Sequence, residues 1–277
     1  MQVFKFGGAS VKDAESIKNV ATILKQNEDL DKVVVFSAMG KTTNALEDVV
    51  NLYVKNDEKY LQYLHEIRAY HQMVSDDLFG VKSPIQYKIF ALFDQVENFC
   101  SQHNSDSYSF IYDQIVSVGE LASTCLVSSY LNHVGISNKW IDARDLIRTD
   151  RSYTDAQINW ETTKTLVEDK IKELKEKTII TQGFIASTSE RFTTTLGREG
   201  SDYTAAVLSH CLNAEKIVIW KDVEGIMNAD PKMFRDTILI PKIAFKEAIE
   251  MTYYGAKVIH SKTIRPLQNK NIPLEVR

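Results

Sequence analysis

The chain has 277 residues, 33 Lys+Arg against 37 Asp+Glu, a formal charge of −4, 44% apolar residues and 25% charged ones. This is the composition of an ordinary globular protein, long enough for one large α/β domain or two small ones. A balance on the acidic side gives no electrostatic case for nucleic acid, and no apolar run approaching the roughly 20 residues of a membrane span is read. Cys100, Cys125 and Cys211 are widely spaced without a CxxC pair, so they are expected as buried thiols in a reducing compartment. Met1 leads straight into a strand with no signal pattern before it, and the expected location is cytoplasmic.

Val3–Phe6 is a short apolar strand carrying Lys5, broken by Gly7-Gly8. Asp13 is placed to cap a helix whose apolar positions Ile17, Val20, Ala21 and Leu24 fall at i, i+3, i+4, i+7. Val33–Phe36 is a continuous apolar run, the mark of a strand covered on both faces. Strand, glycine loop, helix, strand is a βαβ opening, and ligands in such sheets gather at the carboxyl ends of the strands. Gly7-Gly8 and Ser37–Asn44 both fall there. Gly40-Lys41-Thr42 is not a P-loop, because position 35 is Val where that motif needs Gly. Gly7-Gly8-Ala9-Ser10 is not a dinucleotide fingerprint.

Residues 44–134 read as mostly helical. Tyr60 to Leu78, Ile85 to Phe99 and Ile111 to Cys125 carry apolar stripes at spacings of three and four. Ser83-Pro84 breaks the first two helices. His71 lies on a stripe without a second ligand and is expected as a packed core histidine. Gly119-Glu120 interrupts the third stripe, and a glutamate there is by itself a solvated one. Lys139–Ile141, Thr178–Thr181, Lys216–Trp220 and Ile272–Val276 are further strands, and Glu161–Glu176 is an amphipathic helix. The charged connector 142–153, with Arg144, Arg148 and Arg151, is expected to be solvated.

Thr193–Ala206, reading TTTLGREGSDYTAA, is polar and then turns apolar. Ser201 or Asp202 is expected to cap a helix running through Leu208 and Leu212, whose positive end would attract anions. LGREGSDYTAA resembles the LGRGGSDYTA signature of aspartate kinases, within the amino-acid kinase family. KFGGAS (5–10), SAMGKTTN (37–44), SVGE (117–120) and WKDVEGI (220–226) match the family's motifs in order, and ITQGF (180–184) and GAKVIH (255–260) also fit.

The resemblance covers the whole chain and implies an α/β three-layer sandwich with a mostly parallel central sheet and a helix-rich insertion in the N-terminal half. It implies one kinase domain over 1–277, with an amino-acid part (about 1–190) and a nucleotide part (about 191–277). No C-terminal regulatory domain is expected after the closing strand. The implied reaction is ATP- and Mg²⁺-dependent phosphorylation of the aspartate side chain, opening lysine, threonine and methionine biosynthesis. In that frame Lys5 sits on the transferring phosphoryl group, with Gly7 and Gly8 giving close backbone approach. Asp202 lies near the reacting groups and orients lysine. Ser37, Ala38, Thr43 and Ser201 line the amino-acid site, Glu120 pairs with the ammonium, and Arg198 clamps the α-carboxylate. Lys221, Asp222, Met227, Lys232 and Lys257 border the nucleotide. No protein metal ligand is assigned.

The chain departs from the family pattern at Ala9, Glu199, Lys221 and Ser261, where Thr, Gly, Thr and Pro are usual. The alternatives are a catalytically silent or regulatory member of the fold, or a kinase for another small acceptor such as glutamate, acetylglutamate or a nucleoside monophosphate. A homodimer, if formed, is expected through the apolar-striped helices between residues 59 and 134.

Overall fold

In the computed structural model, which describes residues 1–277 except 103–106, 222–224, 231–232 and 256–258, β1 (Gln2–Phe6) lies inside a six-stranded sheet. Its neighbours are β2 (Lys32–Phe36) and β7 (Ile217–Trp220). Beyond them lie β4 (Thr178–Gln182), β3 (Lys139–Trp140) and β8 (Leu274–Val276), in the order β3-β4-β2-β1-β7-β8. Every pairing in this sheet is parallel. All six strands are those expected from the apolar runs, with ends shifted by a residue or two.

Side chains alternate across a strand, and the sheet uses both faces. Phe4, Phe6, Val34, Phe36, Ile180 and Val218 pack into one core. That core is built with α1 (Ala14–Gln26), α2 (Thr42–Val54), α3 (Lys59–Phe79), α4 (Pro84–Gln102) and α5 (Tyr108–His133). Val3, Val33, Val35, Ile179, Ile217 and Ile219 pack into the other core. Its helices are α6 (Trp160–Lys172), α7 (Gly200–Leu212), α8 (Phe245–Tyr253) and α9 (Ser261–Gln268). These are the three layers, with the helix-rich insertion on the first face. Asp13 caps α1 by accepting from the Ser16 N–H at 2.8 Å. Pro84 opens α4, where its missing N–H costs nothing.

α5 corrects two readings. It is long and apolar enough by composition to cross a membrane, yet most of it is buried inside the fold, so its apolarity belongs to the core. It also runs unbroken through Gly119-Glu120, and Glu120 is 2% exposed, not solvated. A Cβ at Gly119 would lie 3.1 Å from Leu46 and Thr42 side-chain atoms, so its absence lets α5 close on α2. His71 is a core residue, buried beside Tyr70 and Phe93, with Nδ1 2.8 Å from the Ile67 carbonyl. Burial pulls its pKa down to about 4.

Outside the main sheet, β5 (Ile185–Ser187) and β6 (Thr193–Thr195) form an antiparallel pair. Thr193–Thr195 was expected as part of a polar loop. The three threonines are buried, and their hydroxyls serve the fold: Thr194 bonds Thr149, Thr195 bonds Asp113, and Arg144 donates to Thr193. The connector 142–153 is likewise not simply solvated. Arg144 pairs with Asp142 at 2.7 Å, and Arg148 donates to Ser187 Oγ and to the Thr188 carbonyl.

Candidate active site

Three strand ends build the site. Alternation puts Lys5 on the same face of β1 as Val3, toward α7. There its Nζ lies 2.7 Å from Asp202 Oδ1, and the two residues are 7% and 2% exposed. Lys221, just past β7, reaches the other Asp202 oxygen at 3.0 Å. Burial alone would raise the Asp202 pKa, but the two ammonium groups outweigh it and hold the carboxyl below its usual value.

Two close backbone approaches set this geometry. A Cβ at Gly8 would lie 2.7 Å from the Ala38 carbonyl oxygen and 2.8 Å from that of Gly40, so the loop after β1 can rest on the loop after β2 only as glycine. The Gly40 N–H donates to the Gly8 carbonyl at 3.0 Å there. A Cβ at Gly183 would lie 2.4 Å from Ser201 Cβ, so the chain leaving β4 passes against the first turn of α7. The expected cap is corrected. α7 begins at Gly200 and its N-cap is Glu199, held left-handed at φ 53°. Ser201 and Asp202 lie inside the first turn, which is why the Asp202 carboxylate is free to turn back toward Lys5.

Across the cleft, Glu120 Oε1 accepts long hydrogen bonds from the Ala38 N–H (3.4 Å) and the Thr43 hydroxyl (3.5 Å). Its Oε2 is buried with no hydrogen-bond partner among the described residues. Burial pushes the Glu120 pKa up to about 8 against the lowering effect of those bonds. The cleft holds about 750 Å³ and is lined by Lys5, Ser37, Thr43, Glu120, Arg198, Ser201, Asp202 and Lys221, among others. Arg198 is exposed at its rim and makes no hydrogen bond or ion pair with the described residues.

The structure therefore brings eight expected site residues to one cleft. Gly7, Gly8 and Ala38 form the loops behind it. Met227 is not among the residues lining the cleft; it bridges Leu239 in the segment after β7. Asp222, Lys232 and Lys257 lie outside the described residues. Sequence reasoning missed Glu47, Tyr112, Thr154 and Phe184, which also line the cleft. Helical spacing could have found two of them: Tyr112 is two turns before Glu120 on α5, and Glu47 one turn after Thr43 on α2. Tyr112 Oη donates to Glu47 Oε1 at 2.6 Å.

The family model described as the amino acid kinase family matches residues 1–277. The chain belongs to the amino acid kinase family. Within this family it is 36% identical over 286 residues to aspartokinase 2, chloroplastic, of Arabidopsis thaliana, covering 99% of this chain and 52% of that one. It is 33% identical to a bifunctional aspartokinase/homoserine dehydrogenase 2, chloroplastic, of the same plant, covering 99% of this chain and 31% of that one. Among solved structures, Escherichia coli aspartokinase III in complex with aspartate and ADP superposes with a TM-score of 0.91 at 34% identity. That match covers 100% of this chain and 61% of the other. This amino acid kinase thus spans from 31% to 61% of the length of these relatives. Its parallel sheet between two helix layers is the fold of that aspartokinase structure.

Proposed function

We propose that this chain transfers the γ-phosphoryl group of ATP to the side-chain carboxylate of L-aspartate, giving 4-phospho-L-aspartate and ADP. The observation that carries the reading is the buried Oε2 of Glu120, without a hydrogen-bond partner among the described residues, in a cleft that Arg198 and Lys5 also line. A buried acceptor calls for a donor, and an α-ammonium supplies one. Arg198 at the rim suits the α-carboxylate as a bidentate partner. The relative crystallised with aspartate and ADP supports the same substrates.

The acceptor carboxylate is ionised at neutral pH, so no general base is required. The barrier is charge crowding, and it is met by placed cations and backbone N–H groups. In this reading Lys5 neutralises charge on the transferring phosphoryl group while Asp202 holds its ammonium in place. The first-turn N–H groups of α7 face the phosphate, and Ser37, Ala38, Thr43 and Ser201 shape the amino-acid pocket. Lys221, Asp222, Met227, Lys232 and Lys257, in the part after about residue 191, are assigned to the nucleotide. Mg²⁺ fits as a companion of ATP. No group of three or more acidic, His or Cys residues is gathered for a metal among the described residues. Both Asp202 oxygens already face lysines, so phosphate oxygens would supply most of its ligands. The reading places the product in the biosynthesis of lysine, threonine and methionine, and the protein in a soluble, cytoplasm-like compartment. Any homodimer is assigned to the apolar-striped helices between residues 59 and 134, where Met73 on α3 and Tyr87 on α4 are exposed.

The direct test is incubation with ATP, Mg²⁺, aspartate and hydroxylamine. Hydroxamate should form with aspartate and not with glutamate or acetylglutamate; with UMP, which gives no acyl phosphate, ADP release should stay at background. Hydroxamate with glutamate alone would reassign the substrate. No hydroxamate with any carboxylate acceptor and no ADP release with UMP would favour the silent member of the fold, for which Ala9 and Glu199 are the relevant departures.

Two further outcomes are expected. Arg198→Lys keeps the charge and loses the planar fork, so KM for aspartate should rise about tenfold or more with little change in KM for ATP. An unchanged aspartate KM would remove Arg198 from the pocket. Glu120 should also couple binding to protons. Its raised pKa leaves it mainly protonated at pH 7 in the free protein, and a bound ammonium favours the ionised form. Aspartate binding at pH 7 should release up to about one proton. Calorimetry in buffers of different ionisation enthalpy reads this directly, and Glu120→Gln should abolish it.

A further inference from the structure

We propose that Asp113 is a positioning residue that fixes the Arg198 loop, and with it the aspartate pocket, by holding two walls of the cleft from one buried carboxylate. The inference rests on the substrate reading above. Asp113 is on α5, fully buried, and α5 also carries Glu120 and Tyr112. Its Oδ1 accepts from the Thr195 hydroxyl at 2.7 Å and from the Thr154 N–H at 3.1 Å. Its Oδ2 accepts from the Thr195 N–H at 2.9 Å and from the Thr154 N–H at 2.9 Å. Four contacts from three donors saturate it.

The two residues held are the ones that place the cleft. Thr195 ends β6 and is three residues before Arg198, whose own side chain has no partner among the described residues. Without contacts of its own, the guanidinium takes its place from the backbone of 195–199. Thr154 lines the cleft, and it and Tyr153 both have left-handed backbone, at φ 58° and 36°. Non-glycine residues keep such a conformation only when their surroundings impose it, and the Asp113 carboxylate is bonded to the N–H of one of them. The placement is costly: burial raises the Asp113 pKa to about 6 even though all three donors lower it. A buried carboxylate with three neutral donors and no ion-pair partner among the described residues is an expensive way to tie a loop, unless the loop must not drift.

Asp113→Asn tests this. It keeps the shape but turns one oxygen into an NH₂ group, which must then face an N–H. Two readouts are taken at pH 8: amide hydrogen exchange, and steady-state kinetics with aspartate and ATP varied separately. Exchange over residues 196–200 should quicken about tenfold or more, the factor a lost buried hydrogen bond is worth, while the β1 and β2 amides stay protected. KM for aspartate should rise about tenfold by the same argument, with KM for ATP little changed. Thr195→Val, which removes only the hydroxyl donor, should give a smaller change of the same kind, and it carries the test if Asp113→Asn fails to fold. Unchanged exchange and unchanged KM, or exchange that quickens equally throughout the sheet, would overturn the proposal. If the unaltered protein forms no hydroxamate with aspartate, the substrate reading fails, and the exchange pattern alone decides the role of Asp113.

Discussion

Lys5→Ala should lower kcat by about 10²-fold or more while aspartate still binds, because the lost ammonium acts on charge that develops during transfer. The size of the effect follows from burial. Lys5 is 7% exposed, so little water is available to replace it. Its removal also leaves Asp202, itself 2% exposed, paired with Lys221 alone at 3.0 Å. A buried carboxylate that has lost a cation repels an incoming phosphate. The substitution therefore both removes a stabilising charge and exposes an opposing one. The double variant Lys5→Ala/Asp202→Asn separates the two: if part of the loss comes from the uncovered carboxylate, the double variant should be faster than Lys5→Ala. Near-normal turnover in Lys5→Ala would mean that Lys221 carries the role, and the assignment of Lys5 would fall.

Gly183→Ala should be nearly as damaging, though Gly183 bears no chemistry. The added carbon would sit 2.4 Å from Ser201 Cβ and 2.6 Å from Ser201 Cα, and one of these is backbone. Overpacking of this kind costs about 1–3 kcal/mol, and here relief requires moving the first turn of α7. Asp202 is the next residue, so the Lys5–Asp202 distance should change with it. The expected result is a fall in melting temperature of about 5 °C together with a kcat loss of about tenfold or more, since small misplacements at a reacting centre are costly. A variant that is less stable but fully active would show that α7 can shift without disturbing the site.

Much of this was legible in the sequence, for physical reasons that differ by element. The six strands could be read because a strand covered on both faces must be apolar without interruption, and runs such as Val33–Phe36 are. The ordered motifs placed Lys5 with Arg198 and Asp202 although more than half of the chain separates it from them. The β5–β6 pair was hidden: Thr193–Thr195 looks like a polar loop until Asp113, Thr149 and Arg144 are seen to take its hydroxyls. The apolarity of α5 was underrated, because its polar residues, Asp113, Ser117, Glu120 and Ser123 among them, are spread through a helix buried on nearly every side. Glu120 read alone was a surface charge, and only the family motif pointed inward. Phe184 was visible only as the last residue of the ITQGF match and Thr154 carried no local signal, since they line the cleft through long-range approach, Phe184 beside Gly200 and Thr154 through Asp113.

The strand order has a consequence for how the molecule is made. β1 gains its first neighbour, β2, as soon as residue 36 is available, but its other neighbour begins at residue 217. During synthesis one side of β1 is an open edge until residue 217 has left the ribosome. Over part of the same interval Lys5 has no Asp202, which needs residue 202, and the long apolar α5 lacks the cover of β3, β4 and β6, which is complete only at residue 195. Parallel pairings across such sequence separations form slowly. Nascent chains stopped before residue 217 should therefore be the species that chaperones hold and that aggregates most readily.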